Sequence, residues 1–272
     1  IRMWTLNKPS LRKTIGKDID ELVDHCNMLE DTDKPIIKKL YRDYEQRGGN
    51  VTDAHLSTIS DDKAKAIQGQ YPKTYDGGAL NYIRKELIDH VQLCPCCSNS
   101  SDFTLDHYMP QSSYKALSVC RLNLIPMCGV CNNLKNGKTY SDFLHAYYDK
   151  VPEQEIIKAK VWIVKKRFVV KLKINDSIIT DPVICNKIKQ QVKELQIMQR
   201  LNKAAQQFIA NLCISCSCTN SEGLKEWIDE MILHYDSLYG ITDWRCAVLR
   251  GIKSCEQLDI DVVLHNKNNP RF

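Results

Sequence analysis

Apolar residues recur at helical spacing through the first fifty positions. Ile19, Leu22, Val23, Cys26 and Leu29 share one stripe, the three-and-four periodicity that lets a helix bury one face. Pro35 opens a second stripe of Ile36, Ile37, Leu40, Tyr41 and Tyr44, and Gly48-Gly49 closes it. Proline fits the first turn of a helix, and glycine its end. Residues 50–78 are polar and ambiguous, with a turn at Asp76-Gly77-Gly78. Leu80, Ile83, Leu87, Ile88 and Val91 predict a third helix that delivers the chain to Cys94. Beyond a cysteine-rich stretch at 94–131, Ser141 is placed to cap a helix carrying Phe143, Leu144 and Tyr147. The period then changes. Ala159, Val161 and Ile163 alternate with polar neighbours, and so do Val170, Leu172 and Ile174 on the far side of Lys165-Lys166-Arg167. This predicts a β-hairpin, with a short third strand at Ile178-Ile179 after an Asn175-Asp176 turn. From Ile184 a helical stripe returns through Cys185, Ile188, Val192, Leu195, Met198 and Leu201, and further helices are expected over 224–238 and 243–253.

The fold class expected is therefore α+β and mainly helical. Residues 1–92 form a helical region, 93–150 a small module, and 151–272 a hairpin with further helices. Composition narrows this little. The chain of 272 residues is 43% hydrophobic and 26% charged, ordinary for a folded protein. A net charge of +5 permits nucleic-acid binding without demanding it. No run approaches the ~18 apolar residues of a membrane span, and the opening residues are too polar for a secretory signal. The 13 cysteines, an odd number, point to a reducing, cytoplasmic setting in which some bind metal and the rest are buried.

Cys94-Pro95-Cys96-Cys97 and Cys128-Gly129-Val130-Cys131 are two Cys-x-x-Cys turns. Each offers two thiolates from one bend, and together Cys94, Cys97, Cys128 and Cys131 would close a four-sulfur structural zinc site with no position left for water. Cys96 should pack beside it. Cys213-Ile-Ser-Cys216-Ser-Cys218 lacks a matching downstream pair, and no role is assigned to Cys213, Cys216 or Cys218.

Between the two turns lie Asp106-His107-Tyr108-Met109-Pro110, then Asn123-Leu124-Ile125-Pro126-Met127-Cys128, then Cys131-Asn132-Asn133-Leu134-Lys135. Their order and compact spacing resemble the HNH family of ββα-metal endonucleases. The stretch running on to Gln111-Ser112 is similar to the HNH domain of RNA-guided CRISPR nucleases. The likeness is carried by residues 94–135 and says little about the flanks. Read from the residues alone, Thr104–Tyr108 and Leu122–Met127 can pair as strands, with a helix from Cys131. That arrangement would let Asp106 and Asn132 offer oxygens to one hard cation, Mg²⁺ or Mn²⁺. Asn133 stands beside Asn132, but the family spacing to Lys135 favours Asn132.

The resemblance implies that His107 is the general base that activates water for attack on a DNA phosphodiester. It implies that Asn123 holds this histidine by hydrogen bonding. On a strand His107 should point away from Asp106. Lys135 and Lys138 are expected either to meet phosphate or to lie on a solvated helix face. Lys158, Lys160, Lys165, Lys166, Arg167, Lys171 and Lys173 make the hairpin basic, suited to a nucleic-acid backbone or, equally, to protecting a sheet edge. Tyr82–Leu87 running into Cys94 is similar to HNH effectors of Septu and retron-type antiphage defence, which act beside an ABC-type ATPase. This chain has no Gly-x-x-x-x-Gly-Lys-[Ser/Thr] motif, so such an ATPase would be a separate subunit. The alternatives are a stand-alone restriction or homing-type nuclease, and a zinc-stapled DNA-binding or scaffold module without activity.

Overall fold

The computed structural model describes residues 3–136, 138 and 140–270; the first and last two positions of the expected terminal regions lie outside these. The helical stripes of the N-terminal region become α1 (Leu11–Asp24), α2 (Lys34–Gln46) and α5 (Asn81–Asp89). Gly48 and Gly49, at φ 65° and 84°, supply the left-handed turn that ends α2. The ambiguous segment between folds as two short helices, α3 (Asp53–Leu56) and α4 (Asp61–Gln68). Ser60 caps α4 by accepting from the backbone N–H of Lys63.

The middle of the chain forms an antiparallel pair and a helix: β1 (Phe103–His107), β2 (Leu124–Cys128) and α6 (Gly129–Lys135). Thr104 faces Met127 across the ladder, Asp106 faces Ile125 and His107 faces Leu124. The hairpin follows as β3 (Ile157–Val164) and β4 (Arg167–Ile174). Lys165 and Lys166 both take left-handed backbone at its two-residue turn, the geometry that matches strand twist. The C-terminal helices are α7 (Pro182–Glu194), α8 (Ile197–Ser215), α9 (Ser221–Tyr239), α10 (Trp244–Lys253) and α11 (Ile260–Asn268).

Three expectations are corrected. No helix carries Phe143, Leu144 and Tyr147. A single 3₁₀ turn covers Tyr140–Asp142, and side chains then take the backbone donors: Leu144 N–H goes to Gln191 Oε1 and His145 N–H to Asp149 Oδ2. Ile178-Ile179 is not a strand. A 3₁₀ turn spans Asp176–Ile178, and the chain must then turn into α7, whose first amides are capped by Asp181. The stripe from Ile184 to Leu201 is two helices, broken at Gln196, which sits at φ 51°.

Apolar burial divides into two cores. One gathers Ile15, Ile19, Leu40, Tyr44, Ile83 and Leu87 around Leu105, Met109, Leu122 and Ile125. The other gathers the hairpin's inner face and α7, α8 and α10 around Met127 and the four paired cysteines. The β1–β2 pair is thus the seam. Its His107 end is packed by the N-terminal helices and its Cys128 end by the C-terminal ones. Arg121, 2% exposed, pins the approach to β2 through ion pairs to Asp18 and Glu86. Among the described residues no helix is long and apolar enough to cross a membrane.

Candidate active site and metal centre

The four cysteines of the two turns converge. Their sulfurs all lie within 4.8 Å of one another, and all four residues are buried. Local backbone makes the pocket. Cys128 caps α6, its sulfur accepting from Cys131 N–H, while Cys128 N–H points at Cys94 Sγ. Such N–H donors suit thiolates, which a cluster this close must hold to bind a metal ion. A cation supports it from far along the chain: Arg200 of α8 donates to Cys131 Sγ at 3.0 Å. Ser98, in left-handed backbone beside Cys97, is clamped by α10. It donates to Asp243, and its carbonyl accepts from the Trp244 indole and the Arg245 guanidinium. Cys96 is buried beside the cluster. Cys213 and Cys216 are buried, and the Cys218 thiol bonds to Gly223 O. None of the three joins a metal-sized cluster among the described residues.

Alternation along β1 sends Thr104 and Asp106 toward α6, and Leu105 and His107 toward the N-terminal core. A cleft of about 370 Å³ wraps the end of the strand, so that Asp106, His107, Asn132, Lys135 and Lys138 all line it, together with Tyr71 and Tyr75. Asn133 is exposed and does not line it.

His107 is half-buried. Its Nε2 lies 2.9 Å from the carbonyl oxygen of Ser118. A carbonyl can only accept, so Nε2 carries the proton and Nδ1 the lone pair. Tyr71 stands edge-on to the imidazole at 4.4 Å between centroids, and its hydroxyl is fixed on Leu105 O. Burial pushes the imidazole down to about 4, which keeps it neutral at neutral pH, with its lone pair unprotonated, while making it a weaker base than a solvated imidazole.

Asn132 donates its Nδ2 to Thr104 Oγ1 at 2.8 Å, and Thr104 in turn donates to Met127 O. The amide oxygen is thereby left as the free end. Asp106 is nearly buried, and burial raises its carboxyl while Lys135 opposes the rise. Lys135 is not on a solvated face. It is 6% exposed, with its ammonium 2.7 Å from Asp106 Oδ2 and 3.0 Å from His107 O. Lys138 is paired with Glu194. At the hairpin, Lys165 and Lys166 are exposed, whereas Arg167 donates to the Asn269 carbonyl.

Asn123 is fully buried, and its hydrogen bonds do not go to the imidazole as expected. Its Oδ1 accepts from Met109 N–H at 2.8 Å and from Tyr44 OH, and its Nδ2 donates to Met109 O and Leu117 O. It closes the loop after His107, and that same loop brings the Ser118 carbonyl to the ring.

Thr104, Ser118, Tyr71 and Arg200 are the supporting residues that the sequence reading did not identify. Only Thr104 carried a signal, lying two residues before Asp106 and so on the same strand face. A backbone carbonyl, a ring from the 3₁₀ turn Tyr71–Thr74 and an arginine from α8 leave no local trace.

No protein-family model matches the chain, and no solved structure matches it. The chain is similar to protein ea31 of Escherichia phage lambda, with 30% identity over 78 residues, which cover 26% of this chain and 26% of that protein. It therefore spans about a quarter of the length of that relative.

Proposed function

We propose that the cleft at the end of β1 is the active site of an HNH-type ββα-metal endonuclease that hydrolyses phosphodiester bonds in DNA. The observation that carries this is the fixed tautomer of His107. With Nε2 committed to Ser118 O, the lone pair on Nδ1 is available to take a proton from water. Beside it, Asp106 and Asn132 present oxygens of the hard type that Mg²⁺ or Mn²⁺ prefers. A divalent ion held there would supply charge stabilisation at the phosphate and the leaving oxygen. Asn132 orients its oxygen through Thr104, Asn123 holds the loop behind the imidazole, and Tyr71 limits its rotation. The four-cysteine cluster fits a structural Zn²⁺, because its four soft ligands leave no open position.

The cytoplasmic antiphage role, alongside a separate ABC-type ATPase, is part of this proposal and rests on the sequence likeness alone. One observation favours the second reading, a zinc-stapled binding or scaffold module: Lys135 already neutralises Asp106. A supercoiled-plasmid nicking assay with Mg²⁺ and Mn²⁺, alone and with the genomic neighbour's product, decides between them. Nicking by the wild type and its loss in His107→Ala is the expected result. Equal nicking by both proteins removes His107 from the mechanism, and none by the wild type under any condition favours the scaffold.

A further inference from the structure

The hairpin has a face that the cleft does not use. Its register sets Lys158 opposite Lys173 and Lys160 opposite Lys171, and all four are exposed. Successive rungs are about 7 Å apart along the strand, and paired strands lie about 5 Å apart. Like charges directly opposite one another destabilise a sheet, and two such rungs stand side by side. The acids nearest in sequence are engaged elsewhere, Glu155 with Arg250 and Asp176 with Lys189. No described carboxylate forms an ion pair with these four lysines. Trp162, half-buried, lies on the same face in the next rung, opposite Val169.

Edge protection is less needed here, because each edge already has an outward amide engaged. Ile163 N–H of β3 goes to Gln257, and Leu172 N–H of β4 goes to Asn202. The opposite face is rigidly seated. At Gly251 of α10 an added Cβ would lie 2.9 Å from Ala159 O, so helix and strand touch backbone to backbone. The result is a ribbon face, seated from behind, that carries four exposed lysines in two adjacent rungs with no ion pair to a described carboxylate.

We infer that this lysine ladder is a binding surface for the phosphodiester backbone of double-stranded nucleic acid, separate from the cleft residues. It deepens the nuclease reading by giving the substrate a second grip, free of sequence preference, since phosphate contacts position a duplex without reading it. Each lysine is available to neutralise one phosphate.

The test is fluorescence anisotropy with a labelled 25-base-pair duplex, read from about 50 to 200 mM salt, using the zinc-loaded full chain carrying His107→Ala so that nothing is cut. Adding Lys158→Gln, Lys160→Gln, Lys171→Gln and Lys173→Gln should weaken binding at least tenfold at the lowest salt. It should also reduce the slope of log affinity against log salt by about 3.6, at about 0.9 per phosphate. Arginine at all four positions should restore both. Should the quadruple variant not fold, each rung is neutralised alone, and the slope should fall by about 1.8. An unchanged slope, failure of the arginine set, or binding of the parent only to phosphatidylserine vesicles overturns the proposal. Because cleavage is not the readout, a chain that nicks plasmid yet binds equally well without the ladder sinks this inference alone. One that binds through the ladder but never nicks sinks the nuclease reading alone.

Discussion

Replacing Asn123 with alanine should loosen the loop that follows the His107 end of β1. The side chain is 0% exposed and satisfies four partners: Met109 N–H, Met109 O, Leu117 O and Tyr44 OH. Tyr44 keeps a second partner in His145, so it loses least. Leu117 O likewise keeps Cys120 N–H, but the Met109 amide and the Met109 carbonyl each lose their buried bond outright, and each such orphan costs about 1–3 kcal/mol. The sum is roughly 2–6 kcal/mol, a large share of the ~5–15 kcal/mol that holds a folded protein together. At about 2 °C per kcal/mol for a chain of this size, the midpoint of thermal unfolding should fall by roughly 4–12 °C at fixed zinc. Differential scanning calorimetry reads that shift, and hydrogen exchange at the Met109 amide reads its location. A shift below about 2 °C with Met109 exchange unchanged would refute the reasoning, since the loop would then be held by something other than this amide.

Other consequences follow from the same geometry. Cys94→Ser or Cys131→Ser should lose bound zinc and lower the melting temperature, because structural zinc contributes folding free energy directly; unchanged stoichiometric zinc by atomic absorption would contradict the ligand set. Burial pushes His145 down to about 3 from its ordinary 6.5. The unfolded chain takes up that proton near pH 6.5 and the folded chain only near 3, so the associated stability is complete above 6.5 and is lost as pH falls. Relative to a His145→Gln variant, the wild type should lose roughly 2 kcal/mol between pH 6.5 and 5, at 1.36 kcal/mol per pH unit; a difference independent of pH in denaturant titrations would be the contrary result. Thr104→Val removes the acceptor that holds the Asn132 amide, and turnover should fall about tenfold, the equivalent of ~1.4 kcal/mol, with melting changed by only a few degrees. Undiminished turnover would mean that Thr104 does not orient the amide.

What the sequence disclosed and what it withheld follow from how far each signal travels along the chain. Helical stripes such as Ile19-Leu22-Val23, and the alternation across Lys165-Lys166, are local and gave elements close to those observed. The paired cysteines announced their cluster, because each turn holds two ligands within four residues. The helix expected after Ser141 failed, because the side chains of Gln191, distant in the chain, and of Asp149 take the backbone amides of Leu144 and His145. The environment of Lys135 was equally hidden. Nothing in Asn132-Asn133-Leu134-Lys135 says that the ammonium is buried against Asp106, since that depends on how α6 packs on β1. Ser118 acts through its carbonyl, which every residue possesses, so its identity carried no signal at all.

The claim on which the rest depends is that Asp106 and Asn132 grip one hard ion beside the free Nδ1 of His107. Electron paramagnetic resonance titration of the zinc-loaded protein with Mn²⁺ tests it most directly. One Mn²⁺ should bind to the wild type and to His107→Ala alike, and binding should weaken at least tenfold in Asp106→Asn and in Asn132→Ala. Wild-type protein that binds no Mn²⁺ at the cleft, or binding untouched by either substitution, would contradict it.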